Sequence, residues 1–519
     1  MAGRVRHPCP SRPADAARRM SGSTPLKIIA AVALSLVVPV ALVPVAAAGH
    51  QARAATAQRQ PLVAVTHHVG EFDGQEVPYT ATVRENFLNG PDGRAEASLV
   101  TIAYVRDGTV DPAQRPVIFA FNGGPGASSS PLHLNGIGPA IRDGETIRNN
   151  PSSLLDVADL VFIDPVGTGF SRNFTTAAGT RYWSRSGDAA SVAAIIERWL
   201  KANGREASPR YLMGESYGTV RAAYLLKDYQ SRLHFDGVVQ VAVVSARGDT
   251  DAGYLGDFPA MATTAWYWKK AGRGKTVAQA FEDAAAFAAD VLAPAYAKGD
   301  ALSEAEKAGI ARRMGAMIGI SAETIAAKNL RLSKDDFMFG VIADQGQRTG
   351  QLDTRVSAPL EGATRGAAGD PTMFGPGGLK RDGSGTIGID EPNAPVEPDR
   401  PPTALERYFR ETLKFDTPVR YYRGVNFDVN FAWDHEGSSD INAIVAQAMK
   451  DDPKLRLVWT GGYFDLSTPA YAARAGMAKA GVPADRTQEI LVPGPHSAFE
   501  GDANKAVLAA ALRRFVTRR

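Results

Sequence analysis

Apolar positions in residues 61–105 alternate with polar ones and are punctuated by turn residues, the pattern of antiparallel strands. Beyond this segment the pattern changes to short, continuous apolar runs. Pro116–Phe121, Leu160–Ile163, Arg210–Met213, Val238–Val244, Leu455–Trp459 and Glu489–Val492 each end in a loop rich in Gly, Pro or Asp. Helical stretches separate several of them. Ser191–Leu200 carries Val192, Ile195, Ile196 and Trp199 at helical spacing, and Tyr217–Leu226 opens a helix directly after a strand. A strand with no polar face must be covered on both sides. These runs therefore predict an α/β fold with a mostly parallel central sheet and helices on both faces.

Residues 250–434 break the rhythm. Thr276–Leu292 and Ser303–Ile318 are alanine-rich helices, the second opened by the capping pair Ser303 and Glu306. Gly350–Pro402 is rich in Gly, Pro and Asp and predicts a long irregular loop. The block is expected to be a cap inserted between two strands, dividing one core into 61–249 and 435–519. Helix Ser438–Met449 then feeds strand Leu455–Trp459.

At the N-terminus, Ile28 to Ala48 is almost uninterrupted apolar sequence, preceded by basic residues and closed by Ala46, Ala47 and Ala48. Residues 1–48 are expected to be a secretory signal, or alternatively an uncleaved anchor, with 49–60 a linker. Met20 is a second candidate start. Pro39 and Pro44 weaken a straight spanning helix. The expected location is secreted or periplasmic. Charge supports this division. The net +3 of the chain becomes −2 once the six basic residues and Asp15 of 1–48 are set aside, so no general electrostatic case for nucleic acid remains. With 44% hydrophobic and 22% charged residues, collagenous, coiled-coil and wholly disordered classes are excluded. The single cysteine, Cys9, lies in the leader, so the remainder has no intramolecular disulfide, cysteine-ligated metal or cysteine nucleophile.

Candidate chemistry centres on Gly214-Glu-Ser-Tyr-Gly218, which falls between a strand and a helix. A serine on such a turn projects its hydroxyl above the sheet, and the helix N-terminus adds N–H groups near a developing oxyanion. A serine nucleophile needs a general base, and the base an orienting carboxylate. His496, after the last strand, and Asp465, just past Leu455–Trp459, follow Ser216 in the order this architecture requires. Asp502 is a competing carboxylate, close behind His496. The loop Asn122-Gly-Gly-Pro-Gly126 follows another strand and can supply a second oxyanion donor beside the N–H of Tyr217.

Other signals are weaker. Gly272-Arg-Gly-Lys-Thr276 lacks the glycine and the preceding strand of a phosphate loop. His67 and His68 have no partners that complete a metal site. Trp266–Trp268 and Tyr421–Tyr422 either line a pocket or pack within the cap.

Taken together, these motifs resemble the serine carboxypeptidase family, peptidase family S10. The matching segments are Asn122-Gly-Gly-Pro-Gly126, Asn150-Pro-Ser, Phe162-Ile-Asp-Pro-Val-Gly-Thr-Gly-Phe-Ser171 and Gly214-Glu-Ser-Tyr-Gly218, with the Asp465 and His496 loops in the right order. The resemblance implies an α/β-hydrolase fold with a cap insertion and hydrolysis of C-terminal peptide bonds without metal or cofactor. It implies a Ser216, Asp465, His496 triad with an oxyanion hole of Gly124 and Tyr217. Asn122, Gly123 and Glu215 are implied to recognise the substrate's terminal carboxylate, Glu215 acting when protonated. The partner is then a peptide, with no nucleic acid and no stable membrane contact unless the leader is retained. Three departures stand out. Ala127 replaces a family cysteine, Gly136 stands where a second clamp glutamate belongs, and Phe162-Ile-Asp-Pro lacks a glutamine. The first and third are compatible with a bacterial-type branch. The second leaves open an esterase or acyltransferase on the same triad, unless His133, Asn135 or a cap residue substitutes. A non-catalytic hydrolase-like binding protein is a more remote alternative.

Overall fold

The computed structural model describes residues 59–109, 111–245, 249–366, 369–374 and 402–518. The expected leader, most of the linker, and residues 375–401 of the Gly/Pro-rich stretch lie outside them. The described chain opens with antiparallel strands β1 (Val63–Phe72), β2 (Gln75–Asn89) and β3 (Ala95–Arg106). β1 keeps one face exposed, and this produces its alternation. β3 is interior, paired with β2 on one side and with later strands on the other, and is buried almost throughout.

Next come β4 (Val117–Phe121), a hairpin of β5 (Ala140–Asp143) and β6 (Thr146–Asn149), β7 (Asp159–Asp164) and the two-residue β8 (Arg172–Asn173). Helices α1 (Thr176–Tyr182) and α2 (Arg185–Ala202) lead into β9 (Arg210–Glu215), α3 (Tyr217–Leu233) and β10 (Gly237–Val241). After the insertion, β13 (Arg456–Gly462) and β14 (Thr487–Val492) complete the sheet in the order β1-β2-β3-β7-β4-β9-β10-β13-β14, with β8 beside β3. From β7 to β14 every pairing is parallel. Two apolar cores cover the two faces. One holds α2, α3 and helix Ile441–Asp451, and the other holds the C-terminal helix Asp502–Thr517.

The predicted Val238–Val244 strand stops at Val241. Ala242 there takes φ +52°, and its N–H bonds to the carbonyl of Thr460, so the chain leaves the ladder. The insertion between β10 and β13 begins with α4 (Asp251–Tyr267) and α5 (Val277–Phe287). α5 ends short of Leu292 because Ala288–Leu292 widens into a π turn. Ser303 and Glu306 form the reciprocal cap of helix Glu304–Ile318. Short strands β11 (Gln347–Thr349) and β12 (Ser357–Pro359) pair with each other. The helices share a third core that includes Phe258, Phe287, Ile318 and Phe337, joined by Leu466 from the loop after β13.

At the opposite edge from the site, Asp159 is fully buried. It accepts bonds from Arg106 N (3.1 Å) and Arg115 Nε (2.7 Å) and pairs with buried Arg205. One carboxylate thus ties β3, β7 and the segments leading into β4 and β9. Removing it strands two guanidiniums. Asp159→Ala is expected to lower unfolding free energy by about 3–5 kcal/mol, read from urea denaturation. A loss under about 1 kcal/mol contradicts this role.

Candidate active site

Ser216 sits between β9 and α3 with φ +60° and ψ −126°, a conformation that costs a non-glycine residue about 1–3 kcal/mol. The surroundings enforce it. Ser216 N donates to Val241 O (2.9 Å), while its carbonyl accepts from Thr219 N (2.9 Å) and Thr219 Oγ1 (2.7 Å). Gly214 lets the first turn of α3 close over the strand, because a Cβ there would lie 2.2 Å from Gly218 O.

Asp465 and His496 come from the loops after β13 and β14. His496 Nδ1 lies 2.9 Å from Asp465 Oδ2. Asp465 is fully buried and accepts from Ser467 N (2.7 Å), Thr468 N (3.0 Å) and Thr468 Oγ1 (2.6 Å). Burial pushes its carboxyl up, but His496 and Thr468 outweigh that and hold it below the usual range. The carboxylate is therefore ionised and fixes the ring. The backbone N–H of His496 donates to Leu352 O (2.7 Å), which fastens the loop to the insertion. An imidazole oriented through Nδ1 leaves Nε2 for proton exchange.

The Asn122–Gly126 loop lies against the start of α3. A Cβ on Gly123 would fall 2.2 Å from Tyr217 N and 2.6 Å from Gly218 N. Asn122 Oδ1 accepts from Leu132 N (3.0 Å), and Asn122 O accepts from Arg221 Nη1 (2.5 Å). Arg221 also donates to Asp188 Oδ2 (2.6 Å), both side chains being buried. Glu215 lies below the loop and accepts from Ser497 Oγ (2.9 Å). Burial raises its carboxyl above the ordinary range. His496, Ser497 and Asn122 oppose the rise, while Asp465 adds to it.

Ser216, His496, Glu215, Asn122, Gly123 and Gly124 all line one cavity of about 710 Å³. Tyr217 stands at the first helical position beside it, its hydroxyl bonded by Trp433 Nε1 (2.8 Å). The far wall belongs to the insertion, with Asp257, Lys334, Leu352 and Arg423 among its residues. Asp257 is raised to about 7, chiefly by burial. Sequence reasoning named none of these wall residues, nor Thr468, Ser497 or Arg221. Thr468 carried a faint local signal, three residues after Asp465, where a hydroxyl can reach back to the carboxylate.

The other residues considered from the sequence lie away from this cavity. His133 does not reach the cavity. It is buried among Tyr104, Phe162, Tyr408 and Phe409, 2.6 Å from Tyr104 Oη, and burial lowers it to about 3. Asn135 faces a neighbouring cavity. Asp502 is exposed and pairs with Arg148 and Lys505. Tyr421 and Tyr422 are buried, and Trp266 and Trp268 donate to Lys275 O and Thr354 O. None of the four lines the cavity. His67 and His68 bond Thr80 and Thr66 on the first strands, and no metal-ligand cluster occurs among the described residues.

A parallel sheet of this order, with serine, acid and histidine loops after β9, β13 and β14, defines an α/β-hydrolase fold. The crystal structure of KEX1ΔP, a prohormone-processing carboxypeptidase from Saccharomyces cerevisiae, shares it. That match has a TM-score of 0.51 at 12% identity and covers 84% of this chain and 91% of that one. Residues 104–232 match the model of the serine carboxypeptidase family. Serine carboxypeptidase-like 36 of Arabidopsis thaliana is 33% identical over 120 residues, 21% of this chain and 23% of that protein. Pheromone-processing carboxypeptidase KEX1 of Verticillium alfalfae is 36% identical over 121 residues, 23% of this chain and 18% of that protein. The chain thus spans less than a quarter of the length of these relatives. No helix among the described residues is long and apolar enough to cross a membrane.

Gly123→Ala is expected to push the loop off the α3 terminus and slow labelling of Ser216 by a fluorophosphonate at least about tenfold. An unchanged labelling rate removes the requirement for that close approach.

Proposed function

We propose that this protein is an exported serine carboxypeptidase that cleaves C-terminal peptide bonds through an acyl-enzyme on Ser216. The observation that carries the reading is the Asp465–His496 hydrogen bond at a histidine opening into the same cavity as Ser216. His496 takes the serine proton as Oγ attacks the scissile carbonyl. It then gives that proton to the leaving amine. The N–H groups of Gly124 and Tyr217 receive the oxyanion, and water repeats the sequence to release the acyl group. Asn122, the N–H of Gly123 and protonated Glu215 hold the substrate's terminal carboxylate. No cofactor enters any step. Export rests on the apolar run Ile28 to Ala48 and its basic flank.

One observation favours a second reading, an esterase or acyltransferase on the same triad. Gly136, in place of the second clamp glutamate, supplies no carboxyl and does not line the cavity. Comparing an N-blocked dipeptide with its C-terminal amide separates the two. A strong preference for the free acid supports the carboxypeptidase, whereas equal rates, or cleavage of esters alone, support the alternative.

Ser216→Ala and His496→Ala are each expected to lower turnover by at least about three orders of magnitude. Retained activity in either refutes the assignment. The pH dependence follows from Glu215. Its raised carboxyl donates a hydrogen bond to the substrate carboxylate while protonated and repels it once ionised. KM for the free acid should therefore rise with pH above neutrality, and Glu215→Gln should flatten the profile. A wild-type profile flat to about pH 8 contradicts this role.

A further inference from the structure

We propose that Arg423, on the insertion, receives the substrate's terminal carboxylate and takes the place of the clamp glutamate that Gly136 cannot supply. This rests on the carboxypeptidase reading and names the group that completes its recognition site.

The backbone puts Arg423 on the relevant wall. Ala127 and Val425 form an antiparallel bridge, and Asn426 N donates to Gly126 O (2.8 Å). Ser128 Oγ donates to Arg423 O (3.0 Å). The segment carrying Arg423 is thereby laid along the loop that contains Asn122 and Gly123. Its side chain lines the cavity of Ser216 and also a second cavity of about 230 Å³, bounded by Pro131, Leu134 and Asn135. Pro131, Leu134 and Asn135 belong to the turn that holds Gly136. A Cβ on Gly136 would approach Leu132 Cδ2 (3.4 Å) and Pro131 O (3.7 Å), within the turn itself. Pro131 and Arg423 both line the two cavities, so the guanidinium lies beside the turn that ends at Gly136.

Charge completes the case. Arg423 is exposed to the cavity and makes no ion pair among the described residues. Arg142, on β5, lines the smaller cavity with it, and the two like charges oppose one another. Glu145 offsets the charge of Arg142 but forms no ion pair with Arg423, so the Arg423 guanidinium is left to face the cavity as a place for an anion. Arginine offers a carboxylate two parallel N–H donors and stays charged at every working pH. Lys334, the other cation on the cavity wall, differs, because Asp257 and Asp335 line the wall beside it.

The test measures kcat/KM for an N-blocked dipeptide and for its C-terminal amide, with fluorophosphonate labelling of Ser216 in every variant. Arg423→Ala should reduce the acid-to-amide preference at least about tenfold, with the change carried by KM for the acid. Arg423→Lys should restore part of it. Labelling at Ser216 in Arg423→Ala establishes that the variant is folded. If the variant is labelled and keeps the wild-type preference, Arg423 is not the receptor while the hydrolase reading stands. If the wild type is labelled but shows no preference for the acid, the receptor role falls with the carboxypeptidase assignment. If wild-type Ser216 is neither labelled nor active on either substrate, the hydrolase reading itself fails.

Discussion

The site depends on how closely two pieces of main chain approach each other. The Asn122–Gly124 loop, at the end of β4, runs against the first N–H groups of α3, at the end of β9. The spacing leaves no room for a Cβ at Gly123. That approach orders the whole upper edge of the sheet. It brings the loop to the cavity that Ser216 lines, and it needs Gly214 on the other side so that the helix can settle over its strand. Arg221 and Asp188 lock the arrangement from below. A guanidinium buried with its carboxylate also holds the carbonyl of Asn122, so α2, α3 and the loop share one charge-assisted joint. A buried ion pair adds little net stability over an apolar contact. Its value is geometric, since either partner left alone is costly and alternative packings are disfavoured.

The two halves of the cavity have different origins. Glu215 ends β9, and Ser216, Asp465 and His496 stand just past the C-terminal ends of parallel strands, where helix and sheet packing limits their motion. Asp257, Lys334 and Arg423 stand on the insertion. Much of the wall facing Ser216 thus comes from an inserted stretch of chain, which can change its charge without disturbing the sheet. The insertion is nonetheless tied in, through Leu466 in its core and the Ala127–Val425 bridge beside the loop.

The sheet was legible in the sequence because its strands are covered on both faces and read as unbroken apolar runs. Ser216 was legible because its signal is local, two glycines flanking a strand-to-helix turn. Asp465 and His496 could be placed from chain order, each following a strand. What could not be read depends on distant segments meeting. Arg221 looks like any helical arginine until Asn122 and Asp188 close around it. Arg423 gains meaning only when its segment lies along Gly126–Ser128. His133, one of the residues considered as a substitute for the missing glutamate, is turned inward, and the apolar environment of Tyr104 and Phe162 keeps it neutral. The end of β10 at Val241 was missed because Val243 and Val244 prolong the apolar run after the backbone has turned away.

The bond from His496 N to Leu352 O has a consequence for durability. Surface loops and inserted helices open far more often than a central sheet, and proteases act on such openings. Brief unravelling around Gln351–Thr354 would leave the sheet standing but free one anchor of the main chain that carries His496. In the extracellular setting proposed for this chain, its useful lifespan would then follow the local opening rate of one inserted segment, not the melting of the whole molecule.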